Sequence, residues 1–404
     1  MNIHQRGTLV TVISVFLLIC DNVFSHVFNL PMIKFFAAYV FIFTLTGNVI
    51  KFKSISIEWI WISFYIATLA LTSFYNLTYQ PLLFGLIAIT SYKYIDWLPI
   101  INKYKVVDAL STILLITLYL GCLATLTKLL GLSGIHEYKN LTFYPFGYLY
   151  GAEIREYPRL TGFFLEPGQL SFYICAVVTC RHYLQMPPQK TVILLLLGLL
   201  TQSLAHVFFM IGYFIFTTNH NALNSAPERK IPGLLFNLIF LVIGLIIVYE
   251  NGWMQERFIN VLQLNPETWQ RLNSYTYALN LFDGSLKDIL LGPSAELSAR
   301  IISEAHSFSF NTPNASLYGE NPLSPIIFGG LLASWPFYVA IIYPLISTLR
   351  NSSHSLLLSV FMLLTLQRPY TLEFPYTFII ALVFSCYFFS KRASNSRNIY
   401  QDSN

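Results

Sequence analysis

Long apolar stretches alternate with short polar segments along almost the whole chain. About 20 consecutive apolar residues are needed for a helix to cross the roughly 30 Å hydrocarbon core of a bilayer. About twelve stretches approach this length or half of it: Thr8–Phe24, Met32–Ile50, Ile57–Tyr75, Pro81–Trp97, Val106–Leu130, Leu160–Cys180, Thr191–Gln202, Leu204–Thr217, Pro232–Glu250, Ser324–Thr348, Leu356–Arg368 and Phe374–Ser390. The pattern predicts an all-α fold, a polytopic integral membrane helical bundle of about 12 transmembrane helices.

The two short stretches within Thr191–Thr217 determine the topology. Lysine and arginine concentrate in the short loops of the cytoplasmic side of a membrane protein. The basic residues of this chain share one side only if Thr191–Thr217 enters and leaves the membrane on the same face, with its turn near Gln202–Ser203. This arrangement predicts a short helical hairpin, cytoplasmic termini and two long outward-facing loops.

The topology divides the chain into six segments. We expect N-terminal transmembrane helices at 1–130, a first outward loop at 131–158, central transmembrane helices with the short hairpin at 159–250, a large outward loop at 251–323, C-terminal transmembrane helices at 324–390 and a cytoplasmic tail at 391–404.

Composition agrees with a membrane protein. Of the 404 residues 55% are hydrophobic and only 11% are charged, whereas about a quarter of a soluble domain is charged. The formal net charge of +5 does not indicate nucleic acid binding, because the basic residues lie mostly in short loops. None of the five cysteines forms a C-x-x-C pair, so we expect neither a zinc site nor a disulfide framework.

Two ionisable residues, Arg159 and Glu166, stand at the start of an apolar stretch. An ionisable side chain at membrane depth costs about 2.5–3.5 kcal/mol on insertion scales and is a functional-site candidate by default. Pro167 and Gly168 follow the carboxylate and should break the helix beside it. A structural alternative is that Arg159 is an interfacial anchor whose guanidinium reaches the lipid head groups.

The outward side collects several further ionisable residues. Arg159, Arg271, Arg257 and Arg300 are candidates for binding a diphosphate, because the guanidinium fork matches phosphate oxygens. His306 and Glu166 are candidates for the catalytic base that deprotonates an attacking sugar hydroxyl. This set suffices for glycosyl transfer without a metal or other cofactor. His206 is more typical of a satisfied buried histidine, and the aromatic stretch Phe143–Tyr150 of a belt at the membrane edge.

Four motifs resemble bacterial O-antigen polymerases of the Wzy type, a family related to the O-antigen ligases. Arg159-Leu-Thr-Gly-Phe-Phe-Leu-Glu-Pro resembles the "R-x-x-G-x-x-x-E-P" start of a central helix in that family. The others are the hairpin Leu199-Leu-Thr-Gln-Ser-Leu-Ala, the stretch from Arg271 to Gly292, and the loop end from His306 through Pro313-Asn314 to Gly329-Gly330. The hairpin departs from the family pattern, since Leu204 occupies the position of its usual arginine.

The resemblance implies a glycosyltransferase-C-like enzyme in the bacterial inner membrane, with two larger periplasmic loops. It would polymerise undecaprenyl-pyrophosphate-linked oligosaccharides, with Arg159 and Arg271 as pyrophosphate ligands and His306 or Glu166 as the base. Implied partners are that lipid-linked substrate, membrane lipids, and a chain-length regulator and a flippase of the same pathway. The alternatives are an O-antigen ligase and, in another class, a lipid-linked oligosaccharide or polysaccharide flippase.

Overall fold

The structure is a computed structural model that describes residues 12–13, 57–76, 82, 85, 89, 100–138, 141–152, 158–164, 166–224, 285–292, 322–350, 353–366 and 374–401. Its helices are α1 (Ile57–Asn76), α2 (Ile100–Leu129), α3 (Pro167–Tyr183), α4 (Pro188–Gly198), α5 (Leu204–Asn224), α6 (Leu286–Leu291), α7 (Ser324–Leu349), α8 (Ser353–Thr365) and α9 (Phe374–Gln401). Its strands are β1 (His136–Tyr138), β2 (Leu141–Tyr144), β3 (Gly147–Tyr150) and β4 (Arg159–Gly162). The described residues are mostly helical, as the sequence predicts.

Two of the described helices are long and apolar enough to cross a membrane. These spans are Asn102–Leu129 in α2 and Gly329–Leu349 in α7. Shorter apolar helices cover Trp61–Tyr75, Pro188–Thr201, Leu204–Thr217 and His354–Thr365. The helical class is thus confirmed, whereas the bundle of about 12 transmembrane helices stays a prediction.

Residue contacts divide the chain into two compact units. The described part of the first unit contains α2, the four strands, α3, α4, most of α5 and α9 from Ile379 onward. The described part of the second contains α1, α6, α7 and α8. Every candidate site residue that the structure describes lies in the first unit.

The second unit is organised around a kink at Gly330 in α7. Gly330 has φ +66° and ψ 176°, and a Cβ there would collide with the backbone of α6 at Leu290 and Leu291. Ser334 donates to the Gly330 carbonyl at 2.7 Å, and the Tyr65 hydroxyl of α1 donates to the Ala333 carbonyl at 2.6 Å. The kink lets α6 approach α7 closely, which a straight helix with a side chain at this position would not allow.

A four-stranded antiparallel sheet corrects the all-α prediction; its first three strands lie within 131–158, the segment expected to be an outward loop. Its strand order is β1-β2-β3-β4. Leu141–Tyr144 and Gly147–Tyr150 are rich in aromatic and β-branched residues, which favour a pleated, half-buried surface. A two-residue turn at Pro145 and Phe146 joins them into a hairpin. Only β4 falls within a predicted membrane span; the other three strands lie between the spans predicted at Val106–Leu130 and Leu160–Cys180.

One face of the sheet packs on α2. Tyr144, Leu149 and Ala152 form a buried cluster with Ala124 of α2. Nearer the middle of α2, Leu160 of β4 lies against Gly121, so closely that a Cβ at Gly121 would meet the leucine side chain. The absence of a side chain at Gly121 therefore lets the strand lie directly on the helix.

The predicted helix over Leu160–Cys180 is wrong at its start. Its first residues form β4, and α3 begins only at Pro167. Gly162 ends β4 with φ +60° and rests on Thr117 of α2. Few residues other than glycine adopt this backbone region readily, so Gly162 turns the chain from the strand toward α3.

We predict that Gly162→Ala destabilises the protein more than Gly131→Ala. Both glycines have positive φ, +60° and +79°, so alanine costs about 1–2 kcal/mol of backbone strain at either site. Only at Gly162 would the new Cβ collide with Thr117, whereas nothing lies within 4 Å of it at Gly131. Overpacking adds about 1–3 kcal/mol, so the thermal unfolding midpoint in detergent should fall further for Gly162→Ala; equal decreases would contradict this packing.

Candidate functional site

The short hairpin breaks at the predicted position. Helix α4 ends at Gly198, a 3-10 turn covers Leu199–Thr201, and α5 begins at Leu204. Between them Gln202 adopts the left-handed conformation, with φ 49° and ψ 41°. A non-glycine residue in this region is uncommon and marks a position that the surroundings hold in place.

The chain doubles back at this break. The His206 Nε2 atom of α5 lies 2.9 Å from the Leu195 carbonyl oxygen of α4, although the two residues are 11 positions apart. A continuous helix would separate them by about 16 Å. The prediction of two short helices joined by a turn at Gln202–Ser203 is therefore confirmed.

Arg159 holds the broken end of the hairpin. Its side chain is 6% exposed, and its Nε donates to the Thr201 carbonyl at 3.1 Å while Nη2 donates to the Gln202 carbonyl at 3.2 Å. The last carbonyls of a helix have no partner within the helix and carry partial negative charge. The guanidinium supplies hydrogen-bond donors to these carbonyls and a positive charge that complements their partial negative charge.

The alternative interpretation of Arg159 as a lipid-facing anchor is wrong. The guanidinium is buried and directed at protein carbonyls. Its carbon also lies 5.6 Å from the centre of the Tyr150 ring, within the range of a cation–π contact. Arg159 and Tyr150 are direct partners in the pairing of β4 with β3, so the sheet register fixes this contact.

An aromatic face of the sheet adjoins Arg159. Leu141, Phe143, Tyr148 and Tyr150 pack together on the side of the sheet opposite the Ala124 cluster. The rings of Phe143 and Tyr148 are 5.1 Å apart and edge-to-face. Tyr148 is buried, and Phe143 and Tyr150 are half-buried. These aromatic residues form part of a packed sheet, and the belt at the membrane edge stays a prediction.

Glu166 is the residue that immediately precedes α3. Its backbone is extended, its carbonyl accepts from the N–H groups of Gln169 and Leu170, and Pro167 follows as the first helical residue. The predicted break beside this carboxylate is confirmed. A negative charge at a helix N-terminus is stabilising by about 0.3–1 kcal/mol, so Glu166 also has a structural reason for its position.

His206 is a satisfied buried histidine, as the sequence predicts. It is fully buried, and its Nδ1 lies 3.8 Å from the Cys175 sulfur of α3. A carbonyl can only accept, so the short contact with Leu195 requires the proton on Nε2, and Nδ1 then faces the thiol as an acceptor. The ring also covers Gly198, where a Cβ would collide with it.

Sequence reasoning missed a polar network at the other end of α4. Arg181 of α3 is 2% exposed and donates to the Pro187 carbonyl at 2.6 Å and to Thr191 Oγ1 at 2.9 Å. Asp108 of α2 lies 3.5 Å from Arg181 and accepts from Lys190 at 2.8 Å. The signal available in the sequence was the place of Arg181 at the end of an apolar stretch, ten residues before Thr191.

The other proposed site residues lie outside the described ranges. These are Arg271, Arg257, Arg300 and His306, so their convergence on Arg159 and Glu166 stays a prediction. Among the described residues, His, Cys, Asp and Glu form no group of three that could hold a metal ion. Metal-independent chemistry likewise stays a prediction.

Comparisons with protein-family models, with curated proteins and with solved structures found no match to this chain. The resemblance to O-antigen polymerases therefore depends on the motifs of the sequence itself. Two of these motifs, around Arg159 and around Thr201, meet in the structure through the hydrogen bonds of Arg159.

We predict that the effect of Gly198→Ala changes sign when His206 is removed. In the native background the new Cβ meets the imidazole, and overpacking should destabilise by about 1–3 kcal/mol. In a His206→Ala background that obstacle is gone, and alanine should stabilise the helix by up to about 1 kcal/mol over glycine. Unfolding of the four variants in detergent measures this double-mutant cycle; an equal effect in both backgrounds would contradict the packing of His206 on Gly198.

Proposed function

We propose that this chain is a membrane glycosyltransferase of the O-antigen polymerase type. It joins undecaprenyl-pyrophosphate-linked oligosaccharide units into O-antigen or a related surface polysaccharide at the periplasmic face of the inner membrane. The bundle of about 12 transmembrane helices, with cytoplasmic termini, two larger periplasmic loops and a glycosyltransferase-C-like arrangement, belongs to this proposal. The two spans and four shorter apolar helices of the described residues support it.

The observation that supports a site best is the depth of Arg159. The Arg181 network includes the partly exposed charges of Asp108 and Lys190, which favour a membrane boundary, the cytoplasmic one in the predicted topology. From Thr191, in that network, to Gln202 the hairpin rises about 16 Å, roughly half of the 30 Å hydrocarbon thickness. Arg159 binds the hairpin at this level. A positive charge at half depth is costly unless it faces protein or water, and broken backbone there requires the same surroundings.

This depth is suited to a diphosphate that remains attached to a lipid. In the proposed reaction the hydroxyl of an acceptor sugar attacks the anomeric carbon of the donor, and the bond from that carbon to the diphosphate oxygen breaks. The base, His306 or Glu166, takes the hydroxyl proton, and the arginines stabilise the charge that develops on the leaving diphosphate. Two of the five Arg159 donors bind carbonyls, so its positive charge is the main contribution that we propose for it.

The aromatic face beside Arg159 supports a sugar substrate. Phe143 and Tyr150 are half-buried, and Tyr150 contacts the guanidinium. Aromatic rings present a negative face to C–H groups and cations, and the apolar faces of sugar rings consist of C–H groups. A sugar bound through its diphosphate at Arg159 would therefore have an aromatic surface within reach.

Gene deletion in the host organism distinguishes the three candidate functions. Without a polymerase, lipopolysaccharide should carry a single repeat unit. Without a ligase, O-antigen attachment should disappear and lipid-linked polymer should accumulate. Without a flippase, unprocessed lipid-linked units should accumulate in the cytoplasmic leaflet.

We predict that Arg159→Ala lowers the yield of polymer beyond one repeat by about 100-fold or more, the usual cost of removing a group that stabilises charge in a transition state. Arg159→Lys should recover part of this yield, because it keeps the charge but not the planar donor fork. Arg271→Ala should also abolish polymer. Gel analysis of lipopolysaccharide in a deletion strain that expresses each variant measures the yield.

The control is Lys105→Ala, which removes an exposed charge of α2 far from the hairpin break and should give normal ladders. The unfolding midpoint of each purified variant separates catalysis from folding. If Gly198→Ala is as unstable as Arg159→Ala and yet polymerises normally, the loss in Arg159→Ala is functional. Normal ladders in both Arg159→Ala and Arg271→Ala would remove the diphosphate-binding role.

A further inference from the structure

An exposed apolar stripe runs along α2 and does not stop where the helix ends. Ile116, Tyr119, Leu123 and Leu126 are all exposed and follow one another at intervals of three or four residues, so they share one helix face. Such a face on a long apolar helix is expected to contact lipid. The stripe establishes which side of α2 is free of described protein.

Four more exposed apolar side chains continue the stripe from the last residue of α2 onward. We call Leu129, Leu130, Leu132 and Ile135 the apolar shelf; their exposed fractions are 58%, 71%, 54% and 66%. Single exposed apolar residues are ordinary, whereas a contiguous group marks an interaction surface. The polar residues His136 and Glu137, which are also exposed, follow immediately.

The backbone of the shelf is ordered by specific hydrogen bonds. The Leu132 N–H donates to the Thr127 carbonyl at 3.1 Å and the Gly131 N–H to the Lys128 carbonyl at 2.9 Å, and Gly131 has φ +79°. This is the Schellman ending of a helix, in which the residue at the position of Leu132 ordinarily packs back on the last turn. Here that leucine remains more than half exposed, although its backbone is fixed.

Sheet pairing fixes the far end of the shelf. The Ile135 N–H donates to the Phe143 carbonyl at 2.7 Å, which extends the β1–β2 pairing by one residue. The shelf therefore joins two rigid elements, α2 and the sheet edge, and holds its apolar side chains outward between them.

The length of α2 indicates what covers the shelf. The charges of Asp108 and Lys190 and the exposed Thr112 lie around the first turns of α2, and the hydrocarbon segment can begin only after them. From Ile113 to its last residue, Leu129, α2 rises about 24 Å at 1.5 Å per residue, so about 6 Å of the roughly 30 Å core remains beyond the helix. Residues outside a helix advance by at most about 3.3–3.6 Å each, so the second boundary falls within the shelf, and an average tilt of about 20° moves it slightly outward.

We propose that the apolar shelf inserts into the boundary between acyl chains and head groups of the outer leaflet. The occupant of this surface is the phospholipid bilayer, which accepts apolar side chains on one side of the boundary and His136 and Glu137 on the other. This inference rests on the membrane topology of the proposed function and adds an anchor to it. The shelf fixes the depth of the sheet: β1 lies at the outer boundary, while β4, which packs on Thr117 and Gly121, lies inside the bilayer.

Spin-label accessibility tests this anchor in proteoliposomes. A nitroxide is attached to a single cysteine introduced at Leu132 or Ile135 in the whole chain, with Cys20 and Cys122 changed to alanine; Cys175, Cys180 and Cys386 are buried. Collisions with oxygen report lipid, and collisions with a water-soluble nickel chelate report water. Labels at Glu137 and at the exposed Leu123 serve as the aqueous and mid-span references.

We expect the ratio of oxygen to nickel-chelate collisions at Leu132 and Ile135 to exceed that at Glu137 several-fold and to stay below that at Leu123. A ratio like that of Glu137 at both shelf positions, with Leu123 lipid-exposed, would overturn the anchor and leave the membrane enzyme intact. Protection from both reagents would overturn it as well, because protein would then cover the shelf. Water exposure at Leu123 itself would show that α2 does not span the bilayer and would overturn the proposed function too.

Discussion

The contact of Arg159 with the Thr201 and Gln202 carbonyls is the interaction on which the architecture of the first unit depends. A helix that ends inside a bundle leaves carbonyls that neither water nor a next turn can satisfy, and each unsatisfied buried group costs about 1–3 kcal/mol. One buried arginine supplies two of the missing donors. Because that arginine begins β4, the same contact decides where the sheet lies relative to the hairpin.

The close approach of β4 to α2 follows from this constraint. Arg159 can reach the hairpin only if its strand lies against the middle of α2, and Gly121 and Gly162 remove the side chains that would keep the backbones apart. Leu160 is buried where β4 lies on α2, and it excludes water, which strengthens the nearby hydrogen bonds. The packing of β4 on α2 and the hydrogen bonds of Arg159 thus depend on each other.

The sequence was sufficient for two of the positions where the described helices break. Pro167 predicted the break beside Glu166, and the polar interruption at Gln202–Ser203 predicted the hairpin turn, because these signals are local. The sheet was missed because its first three strands are only three or four residues long and lie in a segment predicted as a loop, while a hydrophobicity window does not distinguish the buried β4 from the start of a membrane helix. The bond from Arg159 to Gln202 joins residues 43 positions apart, and no local pattern specifies such a partner.

Arg159 and Arg181 together clarify why α4 exists as a separate half-length helix. Arg181 binds Thr191 in the first turn of α4 and the Pro187 carbonyl just before that turn. Arg159 binds the carbonyls just beyond the last turn of α4. Asp108 lies 3.5 Å from Arg181 and accepts from Lys190, so one carboxylate links both cations and makes that network a structural lock. A helix fixed at both ends cannot slide along its axis, so the break at Gln202 is held in one position. In the proposed polymerase, the same constraint would hold a bound diphosphate at one distance from the bilayer surface.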